Sequence, residues 1–219
     1  MKKHIIITAV LASLFSASVL AHGFVTKPAS RAANCQLKKN NPQMCASAQW
    51  EPQSIEALSG FPGGKFPPDG HLASGNIERF IPLDMIGDIW FKEKVKPGKM
   101  DFEWKITAAH STRNWRYYIT KPDWNQEVQL NREAFESEPF CYFEDHGSVP
   151  PTIVTHQCEV PERKGYQIIY AVWEIADTLN SFYQVIDADL TNHISCRDIY
   201  RQLFYHKKIE KQKKRDFTQ

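Results

Sequence analysis

A chain that opened on histidine would offer a metal two nitrogens from one residue, the α-amine and the ring Nδ1. The sequence prepares such an opening at His22. In SVLAHGFVTKPASR (residues 18–31), Val19 and Ala21 stand three and one positions before His22, the small-residue pattern of a signal-peptide cleavage site. The α-amine, with an ordinary pKa near about 8, gives up its proton to a metal at little cost. One more imidazole from elsewhere in the chain would complete a planar, T-shaped, three-nitrogen site. All-nitrogen tetragonal ligation favours Cu(II), which also tops the divalent affinity order. A terminal histidine by itself is equally consistent with an accident of cleavage and adventitious metal affinity. The elements that would bring a second imidazole to it therefore decide the matter.

Lys2 and Lys3 precede an apolar run over residues 5–20, which Thr8, Ser13, Ser16 and Ser18 interrupt. The run falls short of the roughly 20 strongly apolar residues that a membrane span needs. Residues 1–21 thus read as a cleaved signal peptide, residues 22–190 as one well-cored domain, and residues 191–219 as a basic extension. The mature protein is expected to be secreted, monomeric and without a membrane span. Charge is unevenly placed: residues 191–219 hold eight Lys or Arg against three Asp or Glu, while residues 22–190 hold 17 against 22. The acidic domain argues against a nucleic-acid partner, and KKIEKQKKR in the extension reads as a solvated charged end.

Export permits disulfides. Of five cysteines, Cys35 and Cys45 close the segment CQLKKNNPQMC, which reads as a loop, and Cys141 and Cys158 bracket another. Pairing within each couple would contribute about 3 kcal/mol for loops of this size. Cys196 is left over in the extension. No CxxC or Cys–His spacing suggests structural zinc.

A long region rich in Pro and Gly, about residues 34–84, separates the first mature residues from the patterned part of the chain. Within it, EPQSIEALSG carries a short helical pattern that Gly60 would stop. After it the period becomes two. Met100, Phe102, Trp104 and Ile106 alternate with Asp101, Glu103, Lys105 and Thr107, the mark of a half-buried strand. WRYYIT (115–120), GYQIIYAVWEIA (165–176) and SFYQVIDADL (181–190) are further β-branched and aromatic runs ended by turn residues. With no βα alternation and no internal repeat, the fold class is all-β, an antiparallel β-sandwich with one large insertion.

Several segments form a series: HGFVTKPASR (22–31), WEPQSIEAL (50–58), DGHLASG (69–75) and WKITAAHSTRNWRYYITKPDW (104–124). PFCYF (139–143), VTHQC (154–158) and AVWEIADTLNSFYQVIDADL (171–190) continue it. In order and spacing the series resembles the bacterial lytic polysaccharide monooxygenases of the chitin-binding type, auxiliary activity family 10, formerly chitin-binding module family 33. The resemblance implies an immunoglobulin/fibronectin-III-like sandwich and one copper ion per domain. It makes His22 and His110 the copper ligands, His22 through both amine and ring. Phe182 would be the aromatic ring shielding one axial face of the metal, and Ala108 the small residue beside the other. Glu56 would be the nearby acid that orients the oxygen species, a carboxylate able to pass protons. Read from spacing alone, Phe182 is an ordinary core residue of an alternating strand and Glu56 an exposed helix carboxylate.

The same resemblance puts Trp50, Glu51, Pro52, Gln53, Asp177, Thr178 and Asn180 on a flat chitin-contacting face. Chitin-active relatives commonly carry Tyr where Trp50 stands; Trp keeps the stacking surface and exchanges a hydroxyl for an N–H donor. The implied activity is oxidative cleavage of β-1,4 links in chitin at C1, fed by an external electron donor with oxygen or hydrogen peroxide. His71 and His156 are each expected to support a loop or the disulfide region. His146, in the turn-like DHGS, and His193 and His206 are not expected to bind copper. A non-catalytic chitin-binding protein or colonisation adhesin is the alternative function. A copper carrier ranks below both, because only Met85 and Met100 lie outside the signal and the first cysteine loop.

Overall fold

The structure, a computed structural model, describes residues 22–191. Residues 1–21, expected to be a signal peptide, and residues 192–219, with Cys196, His193 and His206, lie outside the described residues.

The period-two segment forms β4 (Gly98–Ala108), whose Phe102, Trp104 and Ile106 are buried while Lys99, Asp101, Lys105 and Thr107 face water. It lies between β1 (His22–Lys27) and β7 (Ile153–Val160), giving a three-stranded sheet in the order β1-β4-β7. The larger sheet runs β2 (Glu56–Leu58), β9 (Asn180–Asp189), β8 (Tyr166–Ile175), β5 (Thr112–Ile119) and β6 (Cys141–Ser148). A two-residue strand, β3 (Glu93–Lys94), pairs in parallel with the far end of β9. Strands β2 and β3 between them cover both ends of the outer edge of β9, which blunts a site for chance strand pairing. All other strand pairs are antiparallel.

The inner faces of the two sheets meet in one core. Val25, Phe102, Trp104 and Ile106 of the small sheet pack on Trp115, Tyr117, Ala171, Trp173, Phe182 and Ile186 of the large one. Trp115 and Trp173 stack at 5.0 Å, and each buried indole N–H has a partner: Tyr117 for Trp104, Asp145 for Trp115 and Thr112 for Trp173. This is the sandwich expected. The disulfide between Cys141 on β6 and Cys158 on β7 ties the two sheets together. The segment between these cysteines is therefore mostly strand, not loop.

The outer face of β8 and β9 is covered as well, so these strands read as nearly unbroken apolar runs. Ile168, Tyr170, Val172, Tyr183 and Val185 pack against Phe61, Leu72, Phe80, Leu83 and Trp90 of the insertion. The insertion is more ordered than its composition suggests. Ser30 caps α1 (Arg31–Gln36), and Asn41 with Pro42 starts α2 (Pro42–Cys45), so the Cys35–Cys45 bridge joins two short helices.

The helix expected over EPQSIEALSG is absent. A single 3-10 turn, Pro52–Ser54, leads directly into β2. A helix this short is marginal on its own, whereas the open edge of β9 satisfies the same backbone groups, pairing Glu56 with Phe182 and Leu58 with Asn180. Glu56 is thus a strand residue.

Candidate functional site

The register of β1 on β4 builds the first half of the site. His22 pairs with Ala108, but Gly23 already pairs with Ile106, so Thr107 is an extra residue on β4. A bulge of this kind bends the strand and re-aims the side chains beside it. Thr107 Oγ1 donates to the His22 carbonyl at 3.3 Å. Gly23 has a steric reason to be glycine: a Cβ there would lie 2.9 Å from both Ile106 Cδ1 and Trp173 Cζ3. The backbone beside His22 therefore rests directly on the aromatic core.

His110 follows Ala108 by two residues, in the turn from β4 into β5, so the two imidazoles come to the same end of the sandwich. Its Nδ1 lies 3.1 Å from Asp177 Oδ1, and its side chain is only 10% exposed. A ring nitrogen occupied by a carboxylate fixes the ring's orientation and directs the other, Nε2, towards a metal. Among the described residues no group of three or more His, Cys, Asp and Glu side chains could hold a metal ion. A metal held by His22 and His110 would take its third donor from a main-chain nitrogen, and the donor set then suits copper.

Phe182 is fully buried at the head of the core, its ring 4.9 Å from that of Trp173, the indole that also underlies Gly23. Glu56 sits beside it on β2, half-buried, its Oε1 accepting from Asn180 Nδ2 at 2.8 Å. Ala108, half-buried, ends β4 opposite His22. The turn between β8 and β9 carries Asp177 and Thr178, and Asn180 opens β9. Thr178 Oγ1 accepts from the Asn180 N–H at 3.1 Å and so shapes the turn.

Two of the residues expected to touch substrate thus first touch two of those expected beside the metal: Asp177 holds His110, and Asn180 holds Glu56. Trp50 is 76% exposed, a large aromatic with almost no protein cover. Gln53 is half-buried, and Glu51 is held by Arg79, whose Nε donates to its Oε1 at 2.7 Å. Pro52 is buried, and its carbonyl accepts from Gln184 of β9 at 3.1 Å, which anchors the segment. Sequence reasoning missed Leu179, 79% exposed between Thr178 and Asn180, although a leucine at the tip of a polar turn was a readable sign. It also missed Arg79, which only the fold brings to Glu51.

The other described histidines are accounted for. His71 Nδ1 lies 3.1 Å from Asp84, which also accepts from the N–H groups of Ala73 and Ser74. His156 is buried on β7, stacked on Phe143 and 2.7 Å from the Tyr117 hydroxyl. Burial pushes its pKa down to about 4 against the opposing pull of Asp145. His146 is exposed on β6, in the left-handed region at φ 50°.

A sequence model of the family described as "Lytic polysaccharide mono-oxygenase, cellulose-degrading" matches residues 22–188. GlcNAc-binding protein A of Photobacterium profundum is 49% identical over 185 residues, covering 80% of this chain and 38% of that protein. The protein of the same name from Vibrio cholerae is 42% identical over 199 residues, covering 85% and 41%. The chain therefore spans about two fifths of the length of the curated relatives it matches. A lytic polysaccharide monooxygenase of auxiliary activity family 10 from Photorhabdus luminescens superposes with a TM-score of 0.75 at 42% identity, covering 78% of this chain and 99% of that one. A Bacillus amyloliquefaciens protein of carbohydrate-binding module family 33, in complex with Cu(I), gives 0.71 at 40% identity, covering 78% and 100%.

Proposed function

The chain belongs to the lytic polysaccharide monooxygenase family, and from that premise we propose that it is a secreted copper enzyme that binds crystalline chitin and cleaves its β-1,4 links by oxidation at C1. His22, through amine and ring, and His110, through Nε2, would hold one copper ion per domain. Copper so held supplies one-electron chemistry by which oxygen or hydrogen peroxide, with an external electron donor, oxidises the sugar.

The remaining roles fall to the chain's own groups. Asp177 keeps the His110 ring oriented through Nδ1. Glu56 commits Oε1 to Asn180 and uses Oε2 to accept and return a proton. Phe182 and Ala108 bound the site with one bulky apolar surface and one small one. Trp50, Gln53 and Thr178 meet the polysaccharide along a flat face, which suits a crystal surface from which no single chain can be drawn into a cleft.

The observation that carries this reading is the bulged register that pairs His22 with Ala108, two residues from His110. Support for chitin comes from the relatives' name, GlcNAc-binding protein A, whereas the family description names cellulose. Mass spectrometry of soluble products from β-chitin and cellulose, each with reductant, tests the proposal. Chitin should yield even-numbered oligosaccharides with aldonic-acid ends, because alternate sugar units present the same side to the enzyme. Products from cellulose alone would overturn the substrate. Tight chitin binding without oxidised products would favour the second reading, a non-catalytic binding protein, to which the relatives' name also points.

A further inference from the structure

We propose that Arg79, paired with Glu51, forms a recognition site for the acetamido group of N-acetylated sugars and so selects chitin over cellulose. The inference rests on the chitin reading above and deepens it.

Arg79 enters the surface at the start of the 3-10 segment Glu78–Asp84. Its Nε donates to Glu51 Oε1 at 2.7 Å and its Nη2 reaches Oε2 at 3.5 Å. The guanidinium lies 4.5 Å over the ring of Phe80, which is fully buried and therefore fixed. Held from the side by a carboxylate and from beneath by an aromatic, the group is oriented in advance although its side chain is 49% exposed. Surface ion pairs contribute little to stability, so this one is poorly explained as a device for holding the fold.

Its chemistry fits an amide. An acetamido group presents an N–H donor and a carbonyl acceptor side by side. An ionised carboxylate only accepts and a guanidinium only donates. Glu51 alone could take the N–H but would repel the carbonyl. With Arg79 beside it, the pair offers both complements at once, and each group keeps capacity beyond the bonds it makes to the other. An open hollow lined by Ile77, Glu78 and Arg79 lies alongside, and half-buried Ile77 gives the acetamido methyl an apolar wall. Adjacent Trp50 supplies a stacking surface for the sugar ring. Cellulose carries a hydroxyl where chitin carries the acetamido group and would gain only the stacking.

Binding isotherms of the full chain on β-chitin and on microcrystalline cellulose test this, using wild type, Arg79→Ala and Arg79→Lys. Arg79→Ala should bind chitin five- to tenfold more weakly, about 1 to 1.4 kcal/mol, with cellulose binding unchanged. Arg79→Lys keeps the charge but loses the planar fork and should remain at least threefold weaker on chitin. Thermal unfolding of both variants should match wild type, since the position is exposed. A chitin affinity within twofold of wild type in Arg79→Ala would overturn the inference. So would an equal loss on both polysaccharides, or full recovery by lysine, which would reduce the effect to charge. Wild-type protein that did not bind chitin would overturn the functional reading, and this inference with it.

Discussion

Two polar clusters lie at opposite ends of β9, and they are built in opposite ways. At its far end Arg31 is buried and saturated: Nε and Nη2 donate to Asp187 at 2.9 and 2.5 Å, and Nη1 to the Leu83 carbonyl at 2.6 Å. The Tyr166 hydroxyl donates to the same Asp187, and Trp90 stacks on the guanidinium at 4.3 Å. At its near end, seven residues or roughly 23 Å away along the strand, the side chains of Asp177 and Asn180 each make one bond to a neighbouring side chain, and the Asp177 side chain is 52% exposed. Perturbed titration marks the buried cluster. Burial opposes the charge of Arg31, but Asp187 outweighs it and raises the pKa; burial, then Asp187, also pushes the Tyr166 hydroxyl up. A strongly shifted group is thus no guide to chemistry in this molecule. The buried cluster is closed off by its own partners, whereas at the other end the Asp177 and Asn180 side chains hold His110 and Glu56 beside open water.

That contrast can be broken most severely at Asp187. Asp187→Ala leaves the Arg31 charge buried without its partner and should cost about 3–5 kcal/mol, read by urea unfolding, with β1 and its register on β4 untouched. Removing the inter-sheet bridge by Cys141→Ala with Cys158→Ala should cost about 3 kcal/mol by the loop-closure estimate, again in urea unfolding. His156, on β7, adds a pH dependence of its own. The folded protein takes up its proton only near pH 4, whereas the unfolded chain does so near 6.5. The unfolded state therefore binds more protons across that window, and stability is lost as pH falls from 6.5 towards 4, by about 3 kcal/mol in full. Unfolding midpoints measured across that range, in wild type and His156→Gln, should show the slope flatten in the variant. The smallest stability change is expected on the exposed face. Trp50→Ala should alter folding by less than about 0.5 kcal/mol while weakening chitin binding by about 1–3 kcal/mol, read from isotherms.

The sandwich was legible wherever one sheet face meets water. Alternation over residues 100–107 announced β4 because Met100, Phe102, Trp104 and Ile106 pack on the core while their neighbours do not. Strands β8 and β9 were found from β-branched and aromatic content, their alternation erased by the insertion packed on their outer face. The insertion itself was not legible. Its local patterns are too short to bind themselves, and EPQSIEALSG resolved into a 3-10 turn and a strand because β9 offered an unpaired edge. Nor could spacing place Glu56 next to Phe182, 126 positions apart in the chain, or Arg79 next to Glu51. His22 and His110 were nominated by chemistry and resemblance, and the bulge at Thr107 is what only the folded chain supplies.

The central claim is that a chain beginning at His22 holds copper through that residue and His110. Calorimetric Cu(II) titration with spin resonance on the processed protein tests it most directly, set beside His110→Ala and a form retaining Ala21. The account predicts one copper per chain with a nitrogen-rich tetragonal spectrum, and loss of both the tight binding and that spectrum in each altered form. Unchanged stoichiometry, affinity and spectrum in His110→Ala and in the extended form would contradict it.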